Sequence, residues 1–416
     1  MQGNIAVPGA AELAPVAPVA PVAPSDRVAA LDVIRGWALF GVLVANVYEV
    51  ASGRRYGLAP PDASVADMTA TRFIEIAISA KSITLLTMLF GLGFSIQLTR
   101  AGQRGEDVRH RFLRRLAALL AIGICHATLL WWIDVTWTYA VVGVLLLAFR
   151  RASDRALLAW AVAMIFIPRL TMAIPAIAAP VRDAFPHPDS LAAFHAQMVD
   201  AILGHDLPAR MIMHARQILY HTPPIAAWYL PWMLGRFLLG FYAGRRQLFA
   251  DGGAAHLPLF RRLLLGGLAC GVAGTPAILL RAAGWFTPGA LPVPVVVALT
   301  ALHELAWLGL VIAYASGIVL LLQRPTARRA LLVLAPLGRM PLTTYLSQSV
   351  VITFLFYGWG LGLTGQLGTA ACLGLCVAVF AAQIAIARLW LARFRFGPAE
   401  WLWRTFTYGR LQPMRR

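Results

Sequence analysis

Ten apolar runs, the fourth short and the eighth long, occupy most of this 416-residue chain, separated by short loops and one long one. A helix needs about 20 residues to cross a hydrocarbon core of roughly 30 Å. In that solvent only helices and closed barrels satisfy every backbone hydrogen bond. The runs lie at about 33–50, 73–98, 116–133, 137–149, 156–179, 226–243, 263–284, 293–322, 342–362 and 368–392. The expected fold class is all-α, a polytopic integral membrane helix bundle of about ten transmembrane helices. With 59% hydrophobic and 13% charged residues, the composition excludes an ordinary soluble domain.

Arginine placement sets the expected orientation. The loops after the second, fourth and sixth runs carry Arg100, Arg104, Arg109, Arg111, Arg114 and Arg115; Arg150, Arg151 and Arg155; and Arg245, Arg246, Arg261 and Arg262. Arg324, Arg328, Arg329, Arg339 and the C-terminal arginines fall on the same side if the spans alternate. The positive-inside rule makes that side the cytoplasm, with both termini there, in a multi-pass protein of the bacterial inner membrane. The net charge of +18 is thereby read as a topology signal. It points to membrane lipids as partners and not to nucleic acid.

Residues 1–26 repeat an Ala-Pro-Val unit and lack a basic start, which fits a disordered cytoplasmic tether and not a signal peptide. Residues 27–392 form the bundle, with one long outer loop at 180–225. That loop holds His187, His195, His205, His214 and His221 at spacings that suit no metal motif. Leu191, Phe194, Met198 and Ile202 recur at helical spacing, so an amphipathic helix is expected there, on the outer interface or capping the bundle. Cys125, Cys270, Cys372 and Cys376 all lie in apolar runs with neither zinc nor disulfide spacing. No metal and no bound cofactor is expected. Residues 393–416 mix aromatics and arginines around Gly397 and Pro398, the pattern of an interfacial cytoplasmic tail. Such a tail would pack on the inner mouth, where Arg404 offers a contact to a donor phosphate.

Ionisable residues inside a membrane are costly and mark function or internal pairing. At 1.5 Å per residue, His126, Arg236, His303, Glu304 and Lys81 all fall near mid-membrane, with Glu75 and Asp134 closer to the exterior. One account is salt bridging, Arg236 with Glu304 and Lys81 with Glu75 or Asp134. The other is a polar chamber with histidine as acid or base. Asp32 and Arg35, three apart at the start of the first run, form either a cap and headgroup anchor or a rim that binds a phosphorylated donor.

The strings "LDVIRGWALFGVLVANV", "LLTMLFGLGFSIQLTR", "HATLLWWIDVTWTYAVVGVLLL", "WMLGRFLLGFYAGRR", "LGRMPLTTYLSQSVV" and "RFRFGPAEWLWRTFTYGRLQPMRR" resemble the YeiB-like membrane proteins, domain-of-unknown-function family 418. The resemblance runs from about residue 27 to the C-terminus. Its first-span pattern is similar to that of the transmembrane acyltransferase superfamily. That similarity implies a cytoplasmic thioester donor, acyl-coenzyme A, entering past Asp32 and Arg35, and a lipid-linked or glycan acceptor. It differs at Ser347 and Gln348, where acyltransferase-3 relatives often carry histidine, and in lacking the heparan-type histidine after the first span. His126 is then the expected base, oriented by Glu304 or Asp134, with Arg236 or Lys81 on the developing oxyanion and His303 beside the substrate. The alternatives are a transporter of an anionic or lipidic substrate and a non-catalytic membrane scaffold.

Overall fold

A computed structural model of the chain describes residues 29–62, 64–103, 107–184, 190–286 and 291–416. The tether at 1–26, Arg104 and His187 lie outside the described residues.

Helices follow one another along the whole described chain: α1 (Ala29–Asn46), α2 (Val65–Phe73), α3 (Lys81–Gln103), α4 (Val108–Leu129), α5 (Thr136–Leu145), α6 (Asp154–Met172), α7 (Pro175–Asp183), α8 (Leu191–Leu203) and α9 (Leu207–Arg216). Then come α10 (Thr222–Arg245), α11 (Leu257–Ala282), α12 (Val293–Leu322), α13 (Pro325–Leu331), α14 (Ala335–Arg339), α15 (Pro341–Phe356), α16 (Thr369–Arg393) and α17 (Pro398–Tyr408). Among the described residues no strand occurs beyond an isolated bridge, Phe394 with Arg415. The protein is an all-helical membrane bundle.

Seven helical segments among the described residues are long and apolar enough to span: Ala29–Tyr56, Val65–Gln103, Arg109–Leu129, Asp154–Met172, Ala250–Ala282, Val293–Leu322 and Thr369–Arg393. α5 and α15 are apolar but have only 10 and 16 residues. α10, with 24 residues, carries the buried Arg236 and two adjacent prolines and is not among the seven.

The boundaries differ from the expected ones where side chains interrupt the apolar pattern. The run expected at 73–98 is broken. A π-helical turn at Ile74–Ile78 ends at Ser79, and Ala80 takes a left-handed φ of 57° before α3 begins at Lys81. Left-handed backbone costs a non-glycine residue about 1 kcal/mol, so this break is imposed by the surroundings. The expected span 156–179 ends with α6 at Met172, and α7 starts afresh at Pro175. The loop at 180–225 is largely helical. Ser190 and Asp206 accept hydrogen bonds from the N–H groups of Ala193 and Ala209, which start α8 and α9. Phe194, Met198 and Ile202 on α8 are buried in a core shared with Trp131, Tyr345 and Tyr357, so α8 caps the bundle.

Close crossings fix the helices that carry the polar groups. A Cβ on Gly91 would strike the backbone of Phe237, and one on Gly240 would strike Met88, so α3 and α10 touch main chain to main chain. Small residues permit that approach in membrane bundles. The same device joins α1 to the α14 region. Gly36 faces the Leu334 carbonyl and Gly338 faces the Asp32 carbonyl.

Candidate functional site

α4 stops at His126. The N–H groups of Leu130 and Trp131 both donate to the His126 carbonyl at 3.0 Å, and the chain turns away. Eight residues on, Asp134 caps α5, its Oδ1 accepting from the Thr136 N–H (2.8 Å), the Thr136 hydroxyl (2.6 Å) and the Trp137 N–H (3.0 Å). The other oxygen, Oδ2, lies 2.6 Å from His126 Nδ1. The carboxylate oxygen accepts, so Nδ1 donates and the tautomer is set. His126 Nε2 is left bearing its lone pair, buried and without a hydrogen-bond partner. Both residues are almost inaccessible, at 3% and 5% exposure. The Tyr345 ring sits 5.2 Å from the imidazole and its hydroxyl interacts with Asp134. A carboxylate holding an imidazole with one free nitrogen is the arrangement of an oriented general base.

Of the two carboxylates expected to orient His126, Asp134 is the one in contact with it. Glu304 is fully buried and spent elsewhere: Oε2 accepts from Arg236 Nη2 and Trp232 Nε1, both at 3.0 Å, and Oε1 accepts from Arg169 Nε at 3.0 Å. Arg236 is equally occupied. It donates to Thr84 Oγ1 and the Trp232 carbonyl, each at 3.2 Å, and its guanidinium lies 3.3 Å over the Trp232 ring. Each of the three Arg236 nitrogens thus makes a hydrogen bond inside the bundle. The expected Arg236–Glu304 pair is present, enlarged by Arg169.

Among the described residues no carboxylate is ion-paired with Lys81. Its ammonium donates to the Glu75 main-chain carbonyl at 2.5 Å, because the break at Ser79–Ala80 turns that carbonyl onto the first residue of α3. The Glu75 carboxylate goes instead to the Tyr48 hydroxyl (3.1 Å) and Arg72 (3.2 Å). His303 packs at a tilt against Trp307, 4.3 Å between ring centres, and Lys81 lies 5.6 Å from the same ring. The five expected mid-membrane groups thus divide. Lys81, Arg236, His303 and Glu304 gather around α3, α10 and α12, whereas His126 sits in the last turn of α4 with Asp134.

Asp32 and Arg35 are ion-paired at 3.0 Å at the other end of the bundle, Arg35 partly exposed. Arg115 lies within electrostatic reach of both Arg35 and Arg404. Its guanidinium stacks 3.9 Å over the Trp403 ring, whose Nε1 donates to the Arg115 carbonyl at 2.8 Å. α17 therefore packs against the start of α4 and brings three arginines from α1, α4 and α17 to one rim. Glu400 anchors that tail. Its carboxylate accepts from the Leu342 N–H (2.6 Å), the Thr343 N–H (3.1 Å) and the Thr343 hydroxyl (2.5 Å) at the start of α15. Arg115 and His126 are eleven residues apart on one helix, so the rim lies about 16 Å from the imidazole.

The sequence reading gave no role to Arg169, Tyr345 or Arg210, and named His214 only among loop histidines that suit no metal motif. Arg169 follows Pro168 inside an apolar run and was detectable by the rule that picked out Arg236. Tyr345 gave no signal, since a tyrosine in a span is ordinarily packing. Arg210 and His214 lie four apart on α9 and so share a face. Both are buried, His214 completely. The His214 Nδ1 donates to the Thr128 carbonyl at 3.1 Å, next to His126, and desolvation lowers its pKa to about 4. Among the described residues no three His, Cys, Asp or Glu side chains gather as a metal ion would require.

Residues 243–410 match the family described as "Protein of unknown function (DUF418)". Nearly the whole chain is similar to the uncharacterized protein YeiB of Escherichia coli (strain K12), at 26% identity over 92% of this chain and 96% of the relative. The chain is thus similar to the YeiB-like DUF418 proteins. The uncharacterized protein YxaH of Bacillus subtilis (strain 168) is 28% identical over 94% of this chain and 96% of its own length. An uncharacterized 39.9 kDa protein from the amylase 3' region of Bacillus acidopullulyticus is 26% identical over 94% and 96%. No solved structure matches. The segment that matches DUF418 carries His303, Glu304, Tyr345 and Glu400, while the His126–Asp134 pair precedes it.

Proposed function

We propose that this protein is a membrane acyltransferase that moves an acyl group from a cytoplasmic thioester donor, acyl-coenzyme A, to a hydroxyl of an envelope acceptor. The observation that carries this reading is the unpartnered Nε2 of His126, whose Nδ1 is held by Asp134 at 2.6 Å. A base fixed in one tautomer inside a dry bundle suits proton abstraction from an alcohol. The acceptor hydroxyl gives its proton to Nε2 as its oxygen attacks the thioester carbonyl carbon. The carbon–sulfur bond then breaks, and the imidazolium returns the proton to the leaving thiolate. An ester and free coenzyme A result.

The rim of Arg35, Arg115 and Arg404 supports the donor half. Guanidinium groups bind phosphates by paired hydrogen bonds, and the arginine-rich end is the cytoplasmic one under the positive-inside rule. The closed network of Arg236, Glu304 and Arg169 is read as a structural tie, which removes these groups from the transport alternative.

The test is acyl-coenzyme A turnover by the purified protein in detergent, followed as thiol release, with His126→Gln and Arg35→Ala beside the native chain. His126→Gln is expected to abolish turnover while donor binding and thermal stability stay near native. Arg35→Ala is expected to weaken donor binding. Failure of the native protein to bind or turn over millimolar donor would remove the proposal.

A further inference from the structure

Around the far end of α4, five buried side chains carry polar atoms that no protein group satisfies: His126 Nε2, His214 Nε2, Trp131 Nε1, Arg210 Nη1 and the Tyr357 hydroxyl. None of the five residues is more than 5% exposed. Native interiors leave few buried polar atoms unpaired, and each such atom costs about 1–3 kcal/mol. Five in one neighbourhood require a common explanation.

They are brought together by specific contacts. His214 Nδ1 donates to the Thr128 carbonyl, which pins α9 to the last turn of α4. Trp131 and Tyr357 stack with ring centres 6.2 Å apart, and the Arg210 guanidinium lies 5.9 Å from the Tyr357 ring and 6.0 Å from that of Trp359. The turn bearing Tyr357 is held against α8, because the Gly358 N–H donates to the Ile202 carbonyl at 2.9 Å and Gly358 has no space for a side chain beside Leu203.

The donor and acceptor pattern defines what fits. His126 gives its Nδ1 proton to Asp134 and His214 gives its own to Thr128, so both Nε2 atoms are acceptors awaiting a hydroxyl. Trp131 Nε1 and Arg210 Nη1 are donors awaiting oxygen. No carboxylate among the described residues pairs with Arg210, and a buried guanidinium without a counter-charge is strongly unfavourable. Trp131 and Tyr357 add flat aromatic faces beside these polar atoms. Hydroxyls that donate and accept, a negative charge and an apolar ring face occur together in anionic sugars.

We propose that this cluster is the acceptor pocket and takes a carbohydrate carrying a phosphate or carboxylate, with the anionic group on Arg210 and hydroxyls on His214 and His126. The assignment of the His126-bound hydroxyl as the acylated one rests on the acyl-transfer reading above. The pocket itself does not.

Binding of glucose 1-phosphate, glucuronate, glucose and inorganic phosphate is measured by tryptophan fluorescence on the detergent-solubilised full chain, native and with Arg210→Gln or His214→Gln. One of the two anionic sugars is expected to bind saturably, at least about tenfold tighter than glucose or phosphate alone, a gap of ~1.4 kcal/mol. Arg210→Gln should erase its advantage over glucose, and His214→Gln should weaken both sugars. If a variant misfolds, protection of His126 and His214 from carbethoxylation by the same ligand in the native chain replaces it. No saturable sugar binding, phosphate binding as tightly as the anionic sugars, or binding indifferent to Arg210 and His214 would each overturn the pocket. Sugar binding without donor turnover would remove only the acyl-transfer reading; turnover without Arg210-dependent sugar binding would remove only this one.

Discussion

The carboxylate of Glu400 caps a helix that begins far upstream, accepting the Leu342 N–H at 2.6 Å across 58 residues of sequence. A helix N-terminus presents unsatisfied N–H groups that a nearby acid ordinarily covers from the adjoining turn. Here α15 opens at Met340-Pro341 with no such residue of its own, and the tail supplies the cap.

Glu400→Ala should therefore lower stability by about 2–3 kcal/mol, the cost of leaving buried donors unpaired, whereas Glu400→Gln, which keeps one acceptor, should cost less. Thermal unfolding in detergent measures both. Equal values near zero for the two variants would contradict the capping role.

Asp134→Asn separates orientation from capping. Asparagine caps a helix nearly as well as aspartate, so the thermal midpoint should stay close to native. Acyl turnover should fall by about 10²–10⁴-fold as the imidazole loses its fixed tautomer. A loss of stability as large as the loss of turnover would make Asp134 a purely structural residue.

Glu304→Ala leaves Arg236 and Arg169 buried beside each other without a counter-charge. Breaking one side of a buried ion pair costs about 3–5 kcal/mol, so this variant should accumulate poorly or unfold well below the native protein. Replacing both Arg236 and Glu304 by methionine should restore part of the loss. No recovery in the double variant, judged by monodisperse yield and thermal midpoint, would count against pairing as the main role.

His214 makes stability depend on pH. Burial lowers its folded pKa to about 4, against roughly 6.5 in the unfolded chain. The unfolded state then binds more protons between these values, so the contribution is intact above about pH 6.5 and lost as pH falls toward 4, by about 3 kcal/mol in total. His214→Gln should flatten that part of the stability profile. An unchanged acid limb in the variant would assign the effect to other groups.

The all-helical membrane fold was legible because a run of twenty apolar residues has few other uses. Span ends were less so: the break at Ser79–Ala80 follows from tertiary packing and not from a proline or glycine in the run. The pairing of Arg236 with Glu304 could be anticipated from matched depth along two spans. Depth alone did not separate Glu304 from Asp134 as the partner of His126, because that choice depends on helix order around the bundle. Arg210 and His214 looked like outer-loop residues. Only the folding of α9 back onto α4 puts them inside.

The Glu400 cap also imposes an order on biogenesis. Glu400 is made 58 residues after Leu342, which at 5–20 residues per second is a delay of about 3–12 seconds. Throughout that interval α15 is in or near the bilayer with its first amides bare, and the arginine rim has no roof from α17. The bundle can reach its final packing only once the ribosome has delivered the tail. A chain stalled or cut before residue 400 should be an easy substrate for membrane quality-control proteases.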